Sequence, residues 1–489
     1  MDTPSAEAAY MFTHALMQQA CYQLMLPSVR GELHRRALEY LHTYKLAAPE
    51  ELAGHALAGL DGASPKMAAQ LKEMRKAFLG EAAEQAMAHF ANERGVALLD
   101  QLLACEGHSA AERVRLRCRR AELLNRMGKM EVAIADAELA LHEALNAAME
   151  PEIARANLVL GGCCMDTAQN ARTPALLSQA IEAFRRFNDS AMLEQALGAL
   201  ARAHFTAGKP EEALEPARAA LALSEHGGDN TRIVRCRLLL MTILAQLYRN
   251  EEAQALASEL APVLETSPNP GLRCAVAAAL ASLSHGLNRP EEAGNYHKLA
   301  SKDAAAGGLH AEVARAEVNL GGIALQLRRF SEGLHHLEVA EAMAREMGNM
   351  RVLWFALRNR YEIFDAVGDF RSALHAATSA ARVAEGAGMA WHFLVSSAQA
   401  AAAFLELGQA DDALEWVEAA LRAPRSGQFL NFILAKLHAQ RACALFRLGN
   451  AHLAMESVQQ MEHFLGLAGS EPGEDSQRWI QEARSLNAP

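Results

Sequence analysis

The 489-residue sequence contains no G-x-x-x-x-G-K-[ST] segment, no H-E-x-x-H and no G-x-S-x-G. A phosphate-cradling loop, a zinc-protease helix and a hydrolase elbow each lack their minimal residues. Aromatics are only 6% of the chain and β-branched residues are scarce, so little is available for a sheet-rich core. The eight cysteines (Cys21, Cys105, Cys118, Cys163, Cys164, Cys236, Cys274 and Cys443) include no C-x-x-C pair, and most stand among apolar neighbours. That usage excludes a zinc ribbon, argues against a disulfide framework and fits small core thiols in a reducing cytoplasm. The most apolar stretch, Cys274 to Leu283, is far too short to span a bilayer, and the first residues show no charged-then-apolar leader. A net charge of −11 is modest for this length and dispersed, so neither nucleic acid nor a membrane surface is an expected partner. The densest basic stretch, Arg113, Arg115, Arg117, Arg119 and Arg120, points in several directions on a helix and reads as a solvated face.

What is present is a helix-former's vocabulary of alanine, leucine, glutamate and arginine, with 51% apolar and 21% charged residues. That is ample material to bury, so wholesale disorder is excluded. The decisive feature is a beat. A turn followed by an acidic or polar helix start recurs at Gly128, Gly208, Tyr248, Asn288, Arg328, Gly368, Gly408 and Gly449. From Gly208 to Gly408 the steps are equal, at a period of about 40 residues, and Gly449 follows after a single insertion. Gly128 and Gly208 lie two such periods apart, which leaves room for one degenerate unit turning near Ala168, and an earlier unit turns near Asn92. Five residues past each turn stands a small side chain: Ala133, Ala213, Ala253, Ala293, Gly333, Ala373, Ala413 and Ala454. A position that is small in every unit marks the closest approach of two helices.

The helix starts fit the same reading. Pro210 and Pro290 occupy first-turn positions, where a missing N–H costs nothing. Glu211, Glu212, Glu251, Glu252, Glu291, Glu292, Asp411 and Asp412 put negative charge at the positive end of the helix dipole. Before each turn lies the partner helix, and Gly161 and Gly321 in it stand four whole periods apart. Each unit is therefore a helix–turn–helix hairpin that cannot bury its apolar face alone, so neighbours must stack into a curving array.

The unit is similar to the tetratricopeptide repeat, usually about 34 residues long, and its extra length resembles the MalT-like repeat of bacterial signalling ATPases. Residues before about Leu60 leave the beat. Ala6 to Met25 reads as an amphipathic segment broken by Pro27, Ser28 is placed to cap a second helix through Tyr44, and Pro49 opens a third. Here Tyr10, Phe12, His14, Ala15, Leu16, Gln18, Ala20, Tyr22, Leu24, Arg30, Leu33, His34, Arg35 and Ala37 follow the pattern F-x-H-A-L-x-Q-x-A-x-Y…R-x-x-L-H-R-x-x-A, continued by Pro49, Glu50, Leu52, Ala53 and His55. Ala82, Ala83, Glu84, Gln85, Ala86, Phe90, Ala91 and Asn92 look like the start of the repeat array in the same proteins. The pattern resembles AAA/STAND-type signalling ATPases, in which an ATPase module precedes a winged-helix-like element and a helical-repeat sensor. Some members also carry a nucleotidyl cyclase, a Ser/Thr protein kinase or a LuxR-type DNA-binding domain. The resemblance implies an all-α, right-handed superhelical solenoid of tetratricopeptide-like hairpins behind a short winged-helix-derived segment. Residues 1–62 are the junction remnant, 63–468 the repeat array, and 469–489 a linker and capping helix. It also implies an ATPase module in cis or in trans, the chain being the C-terminal piece of a larger regulator or a separately encoded sensor half.

No residue pattern calls for a catalytic group, cofactor or metal. The nineteen histidines show no ligand spacing, and His335 and His336, being adjacent, point about 100° apart on a helix. His14 and His34 read as packed, hydrogen-bonded side chains. The pairs Gly161–Gly162 and Gly321–Gly322 fall at tight helix packing, and Gly227–Gly228 and Gly307–Gly308 at hairpin junctions. Function then falls to the surface lined by the first helix of each hairpin, where Arg202, Arg235, Arg315, Arg358, Glu362, Asp365 and Lys436 are expected to project. This mostly basic groove is expected to accept an acidic peptide, a protein or a small effector. The leading reading is a non-catalytic sensor module of an ATP-dependent regulator; the alternative is a stand-alone scaffold that assembles other proteins.

Overall fold

The computed structural model describes residues 15–88, 91–165, 170–423, 430–468 and 474–486. Among them every regular element is a helix and no strand occurs. The chain divides into two compact units, residues 1–243 and 244–489. Unit 1 holds α1 (Ala15–Leu24), α2 (Pro27–Thr43), α3 (Pro49–Ala58), α4 (Pro65–Ala88), α5 (Asn92–Leu103), α6 (Ala110–Arg126), α7 (Met130–Asn146), α8 (Glu150–Cys164), α9 (Thr173–Arg186), α10 (Ser190–Thr206) and α11 (Pro210–Gly227). α12 (Asn230–Gln246) belongs to it up to Ile243. Unit 2 holds α13 (Asn250–Leu260), α14 (Val263–Thr266), α15 (Pro270–Gly286), α16 (Pro290–Ala306), α17 (His310–Gln326), α18 (Phe330–Glu346), α19 (Met350–Ala366), α20 (Phe370–Gly386), α21 (Ala390–Glu406), α22 (Ala410–Arg422), α23 (Leu430–Arg447), α24 (Ala451–Ala468) and α25 (Glu474–Ser485). No described helix is long and apolar enough to cross a membrane.

The architecture is a repeat of helical hairpins. In unit 1 α6 packs on α7, α8 on α9 and α10 on α11, and α8 also packs on α6 and α10. In unit 2 the pairs are α15–α16, α17–α18, α19–α20, α21–α22 and α23–α24, with α17 on α19 and α21 on α23. The recurrent small residues seal each pair. Ala133, Ala213, Ala253, Ala293, Ala373, Ala413 and Ala454 are all fully buried, and a Cβ on Gly333 would lie 2.9 Å from Ile363 Cδ1.

The turns reveal a finer period than the sequence reading found. Backbone φ is positive at Gly128, Ala148, Asn188, Gly208, Gly228, Tyr248, Asn288, Gly308, Arg328, Gly348, Gly368, Gly388 and Gly408, so successive pivots fall at half the hairpin period or at the whole of it. Most helices in the array are 17 residues, followed by a three-residue link. Turns within a hairpin and between hairpins therefore have the same construction. At Arg328 the Arg329 N–H donates to the Ala324 carbonyl at 2.7 Å and the Arg328 N–H to that of Leu325 at 3.0 Å. That double closure satisfies the last helical carbonyls and requires a left-handed residue at the pivot. The turn near Ala168 lies outside the described residues, as do Tyr10, Phe12 and His14, but α8 and α9 on either side of that turn form the hairpin for which the spacing left room.

Two expectations are corrected. Ser28 does not cap α2: Leu26 holds the cap position without a side-chain bond, Pro27 is the first helical residue, and Ser28 lies inside the first turn. The arginine stretch on α6 is not simply a solvated face. Arg120 reaches Asp136 on α7 at 2.7 Å, Arg117 reaches Asp136 at 3.4 Å and Glu143 at 3.3 Å, and Arg115 reaches Glu152 on α8 at 2.6 Å. Asp136 and Glu152 are buried, so these arginines neutralise carboxylates that the hairpin has taken from water. At the amino-terminal end His34 is hydrogen-bonded, to Tyr22 Oη at 2.9 Å and to His55 Nδ1 at 2.8 Å.

Candidate binding cavity

In unit 1, α6, α8, α10 and the first part of α12 are the first helices of successive hairpins. Residues at three- and four-residue spacing on one helix share a face, and on these helices that face lines two cavities. One, of about 780 Å3, includes Lys76, Arg115, Glu122, Arg155, Val159 and Gln195. The other, of about 410 Å3, includes Glu122, Arg126, Val159, Gln195, Gly198, Arg202 and Arg235. Glu122, Val159 and Gln195 line both, so the two cavities adjoin and together make up the hollow face of unit 1. Gly162 and Gly198 line the second part, and a Cβ at Gly162 would have no atom within 4 Å. Gly162 thus leaves backbone that a bound chain can approach closely, whereas Gly198 is buried.

The charges divide into two kinds. Arg115 is held by the buried Glu152, and Glu194 by Arg232 at 3.3 Å with the Cys236 thiol 3.4 Å away. Those carboxylates are compensated internally. Arg126, Arg155, Arg202 and Arg235 have no hydrogen bond or ion pair among the described residues. Arg202 reaches solvent, yet protein crowds its guanidinium; this burial lowers its pKa, and the like charge of Arg235 acts in the same direction. Burial likewise raises the carboxyl pKa of Glu122, against the pull of Arg126, Arg119 and Arg155. Glu194 pulls the other way but is already held by Arg232, so a partly desolvated cation beside a second cation is further stabilised by an incoming anion.

Of the seven residues expected to line a groove, the structure brings Arg202 and Arg235 together here. The other five belong to unit 2 and are engaged locally. Arg315 pairs with Glu312 one turn away. Arg358 lies 3.3 Å from Glu362, which also accepts from Gln399 Nε2 at 2.8 Å. Asp365 and Lys436 are half-buried and have partners. The sequence reading overlooked Arg126, Arg155, Glu122 and Gln195. The signal for two of them was available: Arg115, Arg155, Gln195 and Arg235 follow one another at exact whole periods, so they occupy one register of the repeat.

The buried cysteines stay protonated. Burial pushes the thiols of Cys118, Cys163 and Cys443 up to about 12 and those of Cys236 and Cys274 to about 11. Among the described residues no group of three or more His, Cys, Asp or Glu is placed to hold a metal ion.

No protein-family model matches the chain, and no curated protein matches it. Solved structures do. A signal-transduction ATPase with numerous domains (STAND) from Pyrococcus horikoshii, bearing a tetratricopeptide repeat sensor, superposes with a TM-score of 0.53 at 12% identity, over 95% of this chain and 74% of that one. The apo quorum sensor NprR from B. thuringiensis gives a TM-score of 0.50 at 14% identity, over 72% of this chain and 99% of that one. At such identities the likeness is one of fold. The chain has a tetratricopeptide-like hairpin-repeat fold.

Proposed function

We propose that this chain is a non-catalytic binding module whose unit 1 hollow receives an acidic segment of a partner protein. The observation that carries the reading is the pair Arg202 and Arg235, two cations that make no ion pair among the described residues, in a cavity whose Glu194 is already held by Arg232. Open backbone at Gly162 in the same cavity gives a peptide main chain room to lie against the wall. Both fold neighbours are described as sensors, one of them attached to an ATPase, which supports a sensing role for this chain. With the amino-terminal pattern from Tyr22 to His55, it supports a further reading: the module reports binding to an ATPase in cis or in trans, within a cytoplasmic regulator.

The test is selection of a random dodecapeptide library on the full chain. Enriched peptides are expected to carry net negative charge and to bind tenfold or more weakly to the Arg202→Glu/Arg235→Glu variant, with helicity unchanged. Binding should also weaken as salt rises, because part of the attraction is screened. Enriched peptides that bind the double variant undiminished would place recognition elsewhere and remove the proposal.

A further inference from the structure

The inner register of unit 1 says more about the occupant, given the reading that the hollow is a peptide site. Arg115, Arg155, Gln195 and Arg235 occupy one position on four successive first helices, and each lines the hollow. Their states differ. Arg115 is committed to buried Glu152, Arg155 and Arg235 are uncommitted, and Gln195 between them is neutral and exposed. Arg202 stands close enough to Arg235 for its charge to be felt, so the far end of the row is doubly cationic.

Geometry turns this row into a spacing. α8 packs on α10, and packed helices lie roughly 8–10 Å apart. An extended chain rises about 3.3 Å per residue. A strand crossing helices at this spacing meets one register position about every two and a half to three residues, and Arg155 and Arg235, two helices apart, about every five to six, of which only six brings both side chains to the same face. We propose that the hollow reads an extended acidic segment in which two carboxylate side chains stand six residues apart, one at Arg155 and one at the Arg235–Arg202 pair, with the main chain between them passing Gln195 and the midway side chain turned away from the wall. No third acid is called for at Arg115, whose charge is already spent on Glu152. The two ends are unequal: the carboxylate at the Arg235–Arg202 end is the stronger anchor.

The experiment uses three fluorescein-labelled, end-blocked 13-residue peptides of identical composition. Each carries two aspartates in a Ser/Gly/Ala background, three, six or nine residues apart, and binding to the full chain is measured by anisotropy. The six-residue spacing is expected to bind at least tenfold more tightly than the other two. That preference should collapse in Arg155→Gln and in Arg235→Gln, persist in Arg155→Lys, and persist in Arg315→Gln of unit 2. Binding of all three peptides within threefold of one another, or a preference that survives Arg155→Gln, overturns the spacing. Should none of the three bind while library-selected acidic peptides still fail on Arg202→Glu/Arg235→Glu, the spacing is wrong and the acidic site stands. If those selected peptides also bind the double variant undiminished, both readings fall.

Discussion

Neighbouring glycines of α17 are expected to respond in opposite ways to the same methyl group. A Cβ on Gly321 would lie 2.5 Å from both Cγ and Cδ2 of Leu337, inside any allowed contact. Leu337 is fully buried in the cluster with Ala314, Ala340 and Ile363, so it has little room to withdraw. Overpacking of this kind costs roughly 1–3 kcal/mol, and the helical gain of alanine over glycine returns about 1 kcal/mol. The net for Gly321→Ala is a loss of about 1–2 kcal/mol, taking the upper part of the overpacking range because the clash is deep. At Gly322 the nearest atom to the added Cβ is Asn359 Nδ2 at 3.4 Å, an ordinary contact. Gly322→Ala therefore keeps the helical gain and should stabilise by up to about 1 kcal/mol. Gly161 repeats the arrangement four units earlier, where its Cβ would meet Leu177 Cδ2 at 2.9 Å, so its cost should be smaller. Urea unfolding followed by helical circular dichroism should rank stability as Gly322→Ala, wild type, Gly161→Ala, Gly321→Ala. Adding Leu337→Ala should cost less in the Gly321→Ala background than in wild type, by about 1 kcal/mol or more, because it removes the clashing atoms. A Gly321→Ala protein as stable as wild type would refute the claim that this glycine sets the helix separation.

Two further perturbations test the turns and the core. Tyr248 holds a left-handed backbone at φ 56 while 86% exposed; glycine there should raise the unfolding temperature, corresponding to about 1 kcal/mol, since the side chain contributes strain and little burial. A lower temperature would mean that Tyr248 packs in a way its exposure denies. His297 is buried on α16, its Nδ1 has no hydrogen-bond partner among the described residues, and burial with the nearby His285 lowers its pKa to about 4. The unfolded chain takes up this proton near pH 6.5 and the native chain only near 4, so stability is full above about 6.5 and declines as pH falls toward 4. The decline from this group should approach about 3 kcal/mol, and the His297→Leu variant should show a flatter stability profile between pH 6.5 and 4; an unchanged slope would assign the acid sensitivity to other groups.

The hairpin period was legible because its marks are covalent: a glycine or asparagine at the pivot, an acid or proline at the helix start, alanine where axes meet. The half-period was missed because the intervening pivots include Ala148 and Asn188, and because most of the helices after such pivots, α10, α12, α19 and α21 among them, lack the repeated acidic opening. The Ser109–Glu112 capping box was legible as S-x-x-E and overlooked; Glu112 accepts from the Ser109 N–H at 2.7 Å. The basic run on α6 misled because a helical wheel shows direction and no partner. Its carboxylates, Asp136 and Glu152, lie on the next two helices.

By itself the sequence determined the hairpin, its length and its repetition, since those follow from local propensity, caps and the size of a few recurring side chains. Only the tertiary structure decided which arginines are spoken for. Arg115 and Arg155 share a register and a residue type, yet one is bound to a buried carboxylate and the other has no partner among the described residues. Propensity acts within a few residues of chain, whereas charge compensation acts across packed helices, and only packing says which carboxylate comes within reach.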